Sequence, residues 1–210
     1  SSKIKIKKEI TFADLIELGV EWLKEKTSND RGGDRTKIAS SGNCAQIGSS
    51  GYSAKIVSLG KFAQIGSSGD CAQICSSGYS AKISSSGYCA NIGSSGDCAQ
   101  IGSSGNSAKI ALSGNFAQIG SSGDCAKIGS SGYSAQIDST GEDSVIMCAG
   151  HDSAVKAKKG SWITLAEWYK DEETGKMKPK YVKTEYVDGE RIKEDTWYKL
   201  VDGGFVETNE

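Results

Sequence analysis

The chain has 210 residues, 37% of them hydrophobic and 24% charged, with a formal net charge of −1. No block of one charge sign occurs, which argues against a general nucleic-acid binder and against a strongly acidic mimic. No apolar run is long enough to cross a membrane as a helix, and no signal peptide is evident.

Residues 3–10 alternate Lys and Ile in the manner of an edge strand. Thr11 then reads as an N-cap. Phe12, Leu15, Ile16, Leu18, Val20, Trp22 and Leu23 predict an amphipathic helix ending near Lys26, with a loop over 27–33. A solenoid end leaves an open edge and a bare core, so this helix is the expected N-terminal cap.

From 34 to 159 a nine-residue unit, Ser-Ser-Gly-x-x-Ala-x-Ile-x, governs the chain. Gly recurs every nine residues from Gly42 to Gly150, Ile from Ile47 to Ile146 with Val155 next, and Ala from Ala45 to Ala135. Short fixed-period repeats of this kind mark a parallel β-helix. Ala and Ile two apart point to one side of a strand, and the Gln, Lys or Asn between them points out. Gly is expected at each corner for its access to positive φ, and the Ser pair to bond corner backbone. Ser, Ser and Gly in every unit oppose a helix.

A slower rhythm overlies the unit. The residue before Ala runs Cys44, Ser53, Phe62, Cys71, Ser80, Cys89, Cys98, Ser107, Phe116, Cys125, Ser134. Identity at 27 predicts three faces per turn, with Cys44, Cys71, Cys98 and Cys125 in one column and like stacked on like. About four and a half such turns would rise about 22 Å. The expected fold class is therefore all-β: a three-faced parallel β-helix with an N-terminal helical cap and a C-terminal antiparallel β-meander.

The seven cysteines read as free, inward or half-buried fillers, because side chains stacked in parallel suit a disulfide dihedral poorly and no Cys-x-x-Cys pair occurs. Free thiols fit a reducing compartment. With His151 the single histidine, neither a zinc site nor any other metal or cofactor is expected. Asn43, Asp70, Asp97 and Asp124 would form one column, but calcium-binding nonapeptides carry Gly-Gly and an Asp in every unit, so these read as solvated corners. His151, Asp152 and Ser153 are adjacent, and strand neighbours face opposite sides, so no triad and no enzyme is expected.

Lys55, Lys82 and Lys109 form an outward column, flanked by Tyr52, Tyr79 and Tyr133, and make the candidate ligand face. Stacked like charges repel, and an anion could relieve them; splayed solvated lysines are the plainer reading. Gln46, Gln73 and Gln100, and separately Gln64, Asn91 and Gln118, read as amide ladders.

Residues 160–210 leave the repeat. Trp162–Trp168 and Tyr181–Val187 predict strands with a hairpin turn over Glu172–Lys176. Asp188-Gly189 is a type I′ signal, and Trp197–Val201 leads through Asp202-Gly203-Gly204 to Phe205-Val206. Gly160-Ser-Trp-Ile-Thr-Leu-Ala-Glu-Trp168, the 187–198 stretch Val-Asp-Gly-Glu-Arg-Ile-Lys-Glu-Asp-Thr-Trp-Tyr, and 200–206 resemble the C-terminal part of a family of uncharacterised phage and prophage proteins. In that family a small α/β domain is interrupted by Ser-Gly-x-x-Ala-x-Ile repeats, and Ile4–Trp22 resembles the segment before the interruption. The family usually has a further N-terminal portion, so the resemblance implies that this chain is part of a longer protein. It implies a phage or prophage origin and transfers no activity.

Three functions follow. The first is a rigid scaffold that binds a host or virion protein, in the bacterial cytoplasm or on the virion. The second is a binder of a polyanion, nucleotide or glycan at the Lys/Tyr column. The third, remote, is ice binding, which the lack of a Thr column opposes. A protein partner is expected, nucleic acid and membrane are not, and a cap or open edge could pair copies of the chain.

Overall fold

A computed structural model describes residues 33–209. The expected edge strand and helix over 3–26 lie outside the described residues. Fourteen four-residue strands follow one another: β1 (Lys37–Ser40), β2 (Gln46–Ser49), β3 (Lys55–Ser58), β4 (Gln64–Ser67), β5 (Gln73–Ser76), β6 (Lys82–Ser85), β7 (Asn91–Ser94), β8 (Gln100–Ser103), β9 (Lys109–Leu112), β10 (Gln118–Ser121), β11 (Lys127–Ser130), β12 (Gln136–Ser139), β13 (Val145–Cys148) and β14 (Ala154–Ala157). Four longer strands close the chain: β15 (Trp162–Lys170), β16 (Met177–Tyr186), β17 (Trp197–Val201) and β18 (Gly204–Thr208).

The strands wind into a parallel β-solenoid of about seven turns. Odd strands from β1 to β15, with β16, form one nine-stranded sheet, here the odd sheet, and even strands from β2 to β14, with β17 and β18, form the other. Ile101 therefore lies between Ile83 and Ile119, not under Ile128. Stacking is at 18 residues, with two faces per turn, and the three-faced, 27-residue coil is overturned.

The reason lies in which side chains the repeat identity concerns. Inward positions are Ala, Ile and Ser in nearly every unit, so any multiple of nine stacks them equally well. The residues carrying the 27 rhythm are corner residues that face solvent to varying degrees, so packing does not force like onto like. One edge runs Cys44, Phe62, Ser80, Cys98, Phe116, Ser134 without conflict. The sequence also duplicates at 54, as Cys44 and Cys98, Phe62 and Phe116, Cys71 and Cys125 show. Fifty-four holds two periods of 27 and three of 18, so self-similarity alone cannot choose between them.

Corner geometry does choose. In each unit the residue before Ala adopts the left-handed conformation, with Ser53 at φ 54°, Cys98 at 57° and Ser107 at 60°. One left-handed residue in a five-residue corner reverses the chain onto the opposite sheet. Its N–H is not wasted: Ser53 N donates to Asp70 O at 2.8 Å and Cys98 N to Asn115 O at 2.8 Å, each on the next coil.

The corner Gly has a different duty from the one expected. Gly105 is not at positive φ; a Cβ there would lie 2.0 Å from the carbonyl oxygen of Gly87 in the coil below. Gly is required because successive coils touch backbone to backbone. The Ser pair also divides its labour. The first Ser of each pair faces the core, and Ser76, Ser85, Ser94 and Ser103 are buried with Oγ atoms that have no hydrogen-bond partner among the described residues. The second Ser is exposed.

Core columns are thin and complete. Ala54, Ala63, Ala72 and their successors are fully buried, and Ile56, Ile74 and Ile137 are too. Every inter-coil backbone bond follows this stack, as in Gln100 N to Ala81 O at 2.9 Å.

The C-terminal segment is not one meander but two hairpins. β15 continues the odd sheet parallel to β13, with Ile146 opposite Ile163, and β16 folds back on it. β17 pairs antiparallel with β14 and β18 with β17, extending the even sheet. The type I′ signal works at Asp202-Gly203, with φ 47° and 71°, and not at Asp188-Gly189. Asp188 Oδ1 instead accepts the N–H groups of Glu190, Arg191 and Ile192. Ile163, Leu165, Val187, Ile192, Tyr198 and Leu200 close the core at this end.

Candidate binding faces

Eighteen-residue stacking rearranges every outward column. On the odd sheet the first outward position runs Lys37, Lys55, Gln73, Asn91, Lys109, Lys127, Val145; the second runs Ala39, Val57, Cys75, Gly93, Ala111, Gly129, Met147. A shallow groove of about 750 Å³ runs along this face from Gln73 to Met147. On the even sheet the first position runs Gln46, Gln64, Lys82, Gln100, Gln118, Gln136, beside Gly48, Gly66, Ser84, Gly102, Gly120 and Asp138. A groove of about 1120 Å³ follows that column and ends at Trp197.

The candidate ligand residues do not share a face. Lys55 and Lys109 stand on the odd sheet, separated by Gln73 and Asn91; Lys82 stands alone among glutamines on the even sheet. Tyr52 lies on the corner from β2 to β3, whereas Tyr79 and Tyr133 lie on the opposite edge. There they join other aromatics: Phe62 and Tyr79 meet edge-to-face at 5.8 Å between centroids, Phe116 and Tyr133 at 5.3 Å, and Tyr133 stacks on His151 at 5.4 Å.

Sequence reasoning missed the partners of Lys55 and Lys109, which are Lys37 and Lys127 on adjacent coils. Comparing residues 18 apart would have found both pairs. All four lysines are exposed, and none is in an ion pair among the described residues. The odd face carries no outward carboxylate from β1 to β13.

The acidic corner residues belong to the backbone. Asn43 and Asp97 lie on one edge, Asp70 and Asp124 on the other. Each offers Oδ1 to a backbone N–H eighteen residues on: Lys61 at 3.0 Å, Asn115 at 2.8 Å, Tyr88 at 2.7 Å and Glu142 at 3.0 Å. They are Asx clamps between coils, and among the described residues no cluster of three metal-ligating side chains forms. The edge bearing Asp70 and Asp124 also carries Asp34, Glu142 and Asp143.

The two expected amide ladders are redistributed: Gln46, Gln64, Gln100 and Gln118 share the even sheet, where Gln100 Nε2 donates to Gln118 Oε1 at 3.4 Å, while Gln73 and Asn91 stand on the odd sheet. Ser153 Oγ, beside His151, accepts the Ala135 N–H at 3.0 Å and is buried, which makes it a structural clamp. The expected Cys column is also overturned. Cys44, Cys75 and Cys125 are exposed, Cys71, Cys89 and Cys98 half-buried, and Cys148 alone is buried. Cys148 sits at the inward position that Ser fills elsewhere, and loss of solvent pushes its thiol up to about 11.

No protein-family model matches the chain, and neither a curated protein nor a solved structure matches it.

Proposed function

We propose that this chain is a non-catalytic interaction body: a rigid β-solenoid that presents a regular face to a protein partner. A phage or prophage origin, suggested by its terminal segments, would make that partner a host or virion protein. One observation carries the reading. The two sheet faces differ in chemistry: the odd face carries four lysines that form no ion pair among the described residues, beside small apolar residues and with no outward carboxylate from β1 to β13, whereas the even face carries mostly amides. Surfaces so divided, on a scaffold whose backbone bonds repeat coil by coil, suit recognition by a fixed partner.

A polyanion, nucleotide or glycan at the Lys/Tyr column is supported less, because Lys82 and the three tyrosines lie away from Lys55 and Lys109. The experiment is affinity capture from phage-infected bacterial lysate, followed by binding with the captured protein purified. A single purified protein that binds saturably is the expected result. Retention of nothing beyond what a fully reduced, denatured control retains, or substrate turnover by the chain itself, would overturn the proposal.

A further inference from the structure

We infer that the odd sheet's outer face is the docking surface, and that its occupant is a protein segment with acidic residues at both ends and apolar residues between. This rests on the interaction-body reading and names its partner's chemistry. Lys37 and Lys55 sit on adjacent coils, as do Lys109 and Lys127, and two neutral coils bearing Gln73 and Asn91 separate the pairs. Lys37 and Lys109 are four coils apart, or about 19 Å at the usual strand spacing. An extended chain spans that distance in about six residues. On the two coils between the pairs the second outward residues are Cys75 and Gly93; Val57 and Ala111 continue this shelf on the coils of Lys55 and Lys109, and exposed Met147 lies one coil beyond Lys127. Small residues leave room for side chains of a partner, and apolar ones favour burying them.

Charge complementarity decides the occupant. A second copy laid face to face would oppose lysine to lysine. A nucleic acid needs evenly spread positive charge and rings to stack on, yet the lysines come in two separated pairs. The nearest tyrosines lie on edges, and Tyr52 shares its edge with Asp34 and Asp70. A segment with carboxylates at its two ends and an apolar middle meets both lysine pairs and packs on the small residues of the shelf between them.

The test is fluorescence anisotropy with a labelled peptide of roughly nine residues, Glu-Glu-Val-Ala-Val-Ala-Val-Glu-Glu. An isomer with the glutamates in the middle and a single-stranded oligothymidylate of equal charge serve as competitors. The end-acidic peptide should bind about tenfold tighter than the isomer and weaken with salt. Replacing Lys37, Lys55, Lys109 and Lys127 with Gln should abolish binding, while Lys82→Gln should leave it unchanged. The variant with all four of Lys37, Lys55, Lys109 and Lys127 changed to Glu should instead prefer the same peptide with lysine ends, so a folding defect cannot imitate the result. No binding, equal binding of isomer and oligothymidylate, or loss with Lys82→Gln would overturn the inference. So would a dimer, seen by sedimentation, that the four-lysine variant dissolves. If a partner captured from lysate binds the four-lysine variant as well as the unaltered chain, this surface assignment falls while the interaction-body reading stands.

Discussion

The coil and the C-terminal hairpins are built of the same β-strands but are held by different forces. From β1 to β12 strand follows strand by backbone bonds and by stacked Ala, Ile and Ser. All ten ion pairs of the described residues fall within 138–207. In the hairpins Lys180 bridges Glu167 and Asp202 at 2.8 Å each, Lys178 pairs with Asp171, and Arg191 with Glu185. A repeat can be stabilised by identity, because each coil is a template for the next. The segment that ends it has no neighbour to copy and must specify its partners one by one.

The sharpest way to break this contrast is to disturb the template. Gly105→Ala places a Cβ 2.0 Å from the carbonyl oxygen of Gly87, which cannot move without its own coil. A loss of about 4 kcal/mol in denaturant unfolding is expected. Gly102→Ala, three residues away in the chain but facing out with nothing within 4 Å, should change stability by less than about 0.5 kcal/mol. Equal losses at the two glycines would mean that close coil approach is not what selects Gly at the corner. Ile101→Asp should be at least as damaging as Gly105→Ala, since it puts an unpaired charge between Ile83 and Ile119.

The thiols sharpen the inside–outside division. With a pKa near 11 instead of the ordinary 9.0, Cys148 holds about a hundredth of the usual thiolate. Native protein should alkylate quickly at the exposed Cys44, Cys75 and Cys125, and not at Cys148, as peptide mass mapping would read. Fast labelling of Cys148 would show that the final coil opens.

Acid should separate the two regions. Glu167 is held below its ordinary 4.5 by the Lys180 hydrogen bond and the Gly203 N–H, Asp171 below 3.8 by Lys178, and Glu185 by Arg191. Groups lowered on folding add stability above their unfolded values and lose it as pH falls through the folded ones. The hairpins should therefore loosen below about pH 4 while the coil stays wound. In a Trp22→Phe chain, the remaining tryptophans Trp162, Trp168 and Trp197 all report on the hairpins. Their fluorescence should change at higher pH than the strand signal in circular dichroism. Coincident transitions would make coil and hairpins one cooperative unit.

Much of this was legible in the sequence. Nine-residue spacing gave the strands, their inward Ala and Ile, and the solenoid itself, because burial enforces those positions in every unit. The C-terminal strands were legible from alternation and turn residues. The number of faces was not, since the residues that suggested 27 are solvent-facing corners that packing leaves unconstrained. That one error scattered the candidate site: it joined Lys82 to Lys55 and Lys109, and hid Lys37 and Lys127. The sequence also could not say that Gly serves contact and Cys, Ser or Phe serves the left-handed turn. Both occupy the same corner, and only the backbone distinguishes them.

The smallest expected effect tests that last distinction and has the opposite sign from the rest. A left-handed conformation costs a non-Gly residue about 1 kcal/mol, and Asn tolerates it best among residues with a side chain. Ser107 sits at φ 60° on an exposed corner, and its N–H donates to Asp124 O at 2.8 Å. Ser107→Asn keeps that backbone bond and eases the turn, and it does not enlarge unfolded-state freedom as Gly would. A gain of about 0.5 kcal/mol is expected, read as a higher denaturation midpoint with an unchanged slope. The same change at Ser104, an exposed residue of the same corner that is not left-handed, should give no gain. If Ser104→Asn stabilised the chain as much as Ser107→Asn, the benefit would come from a surface amide, and the left-handed corner would not be where the repeat holds its strain.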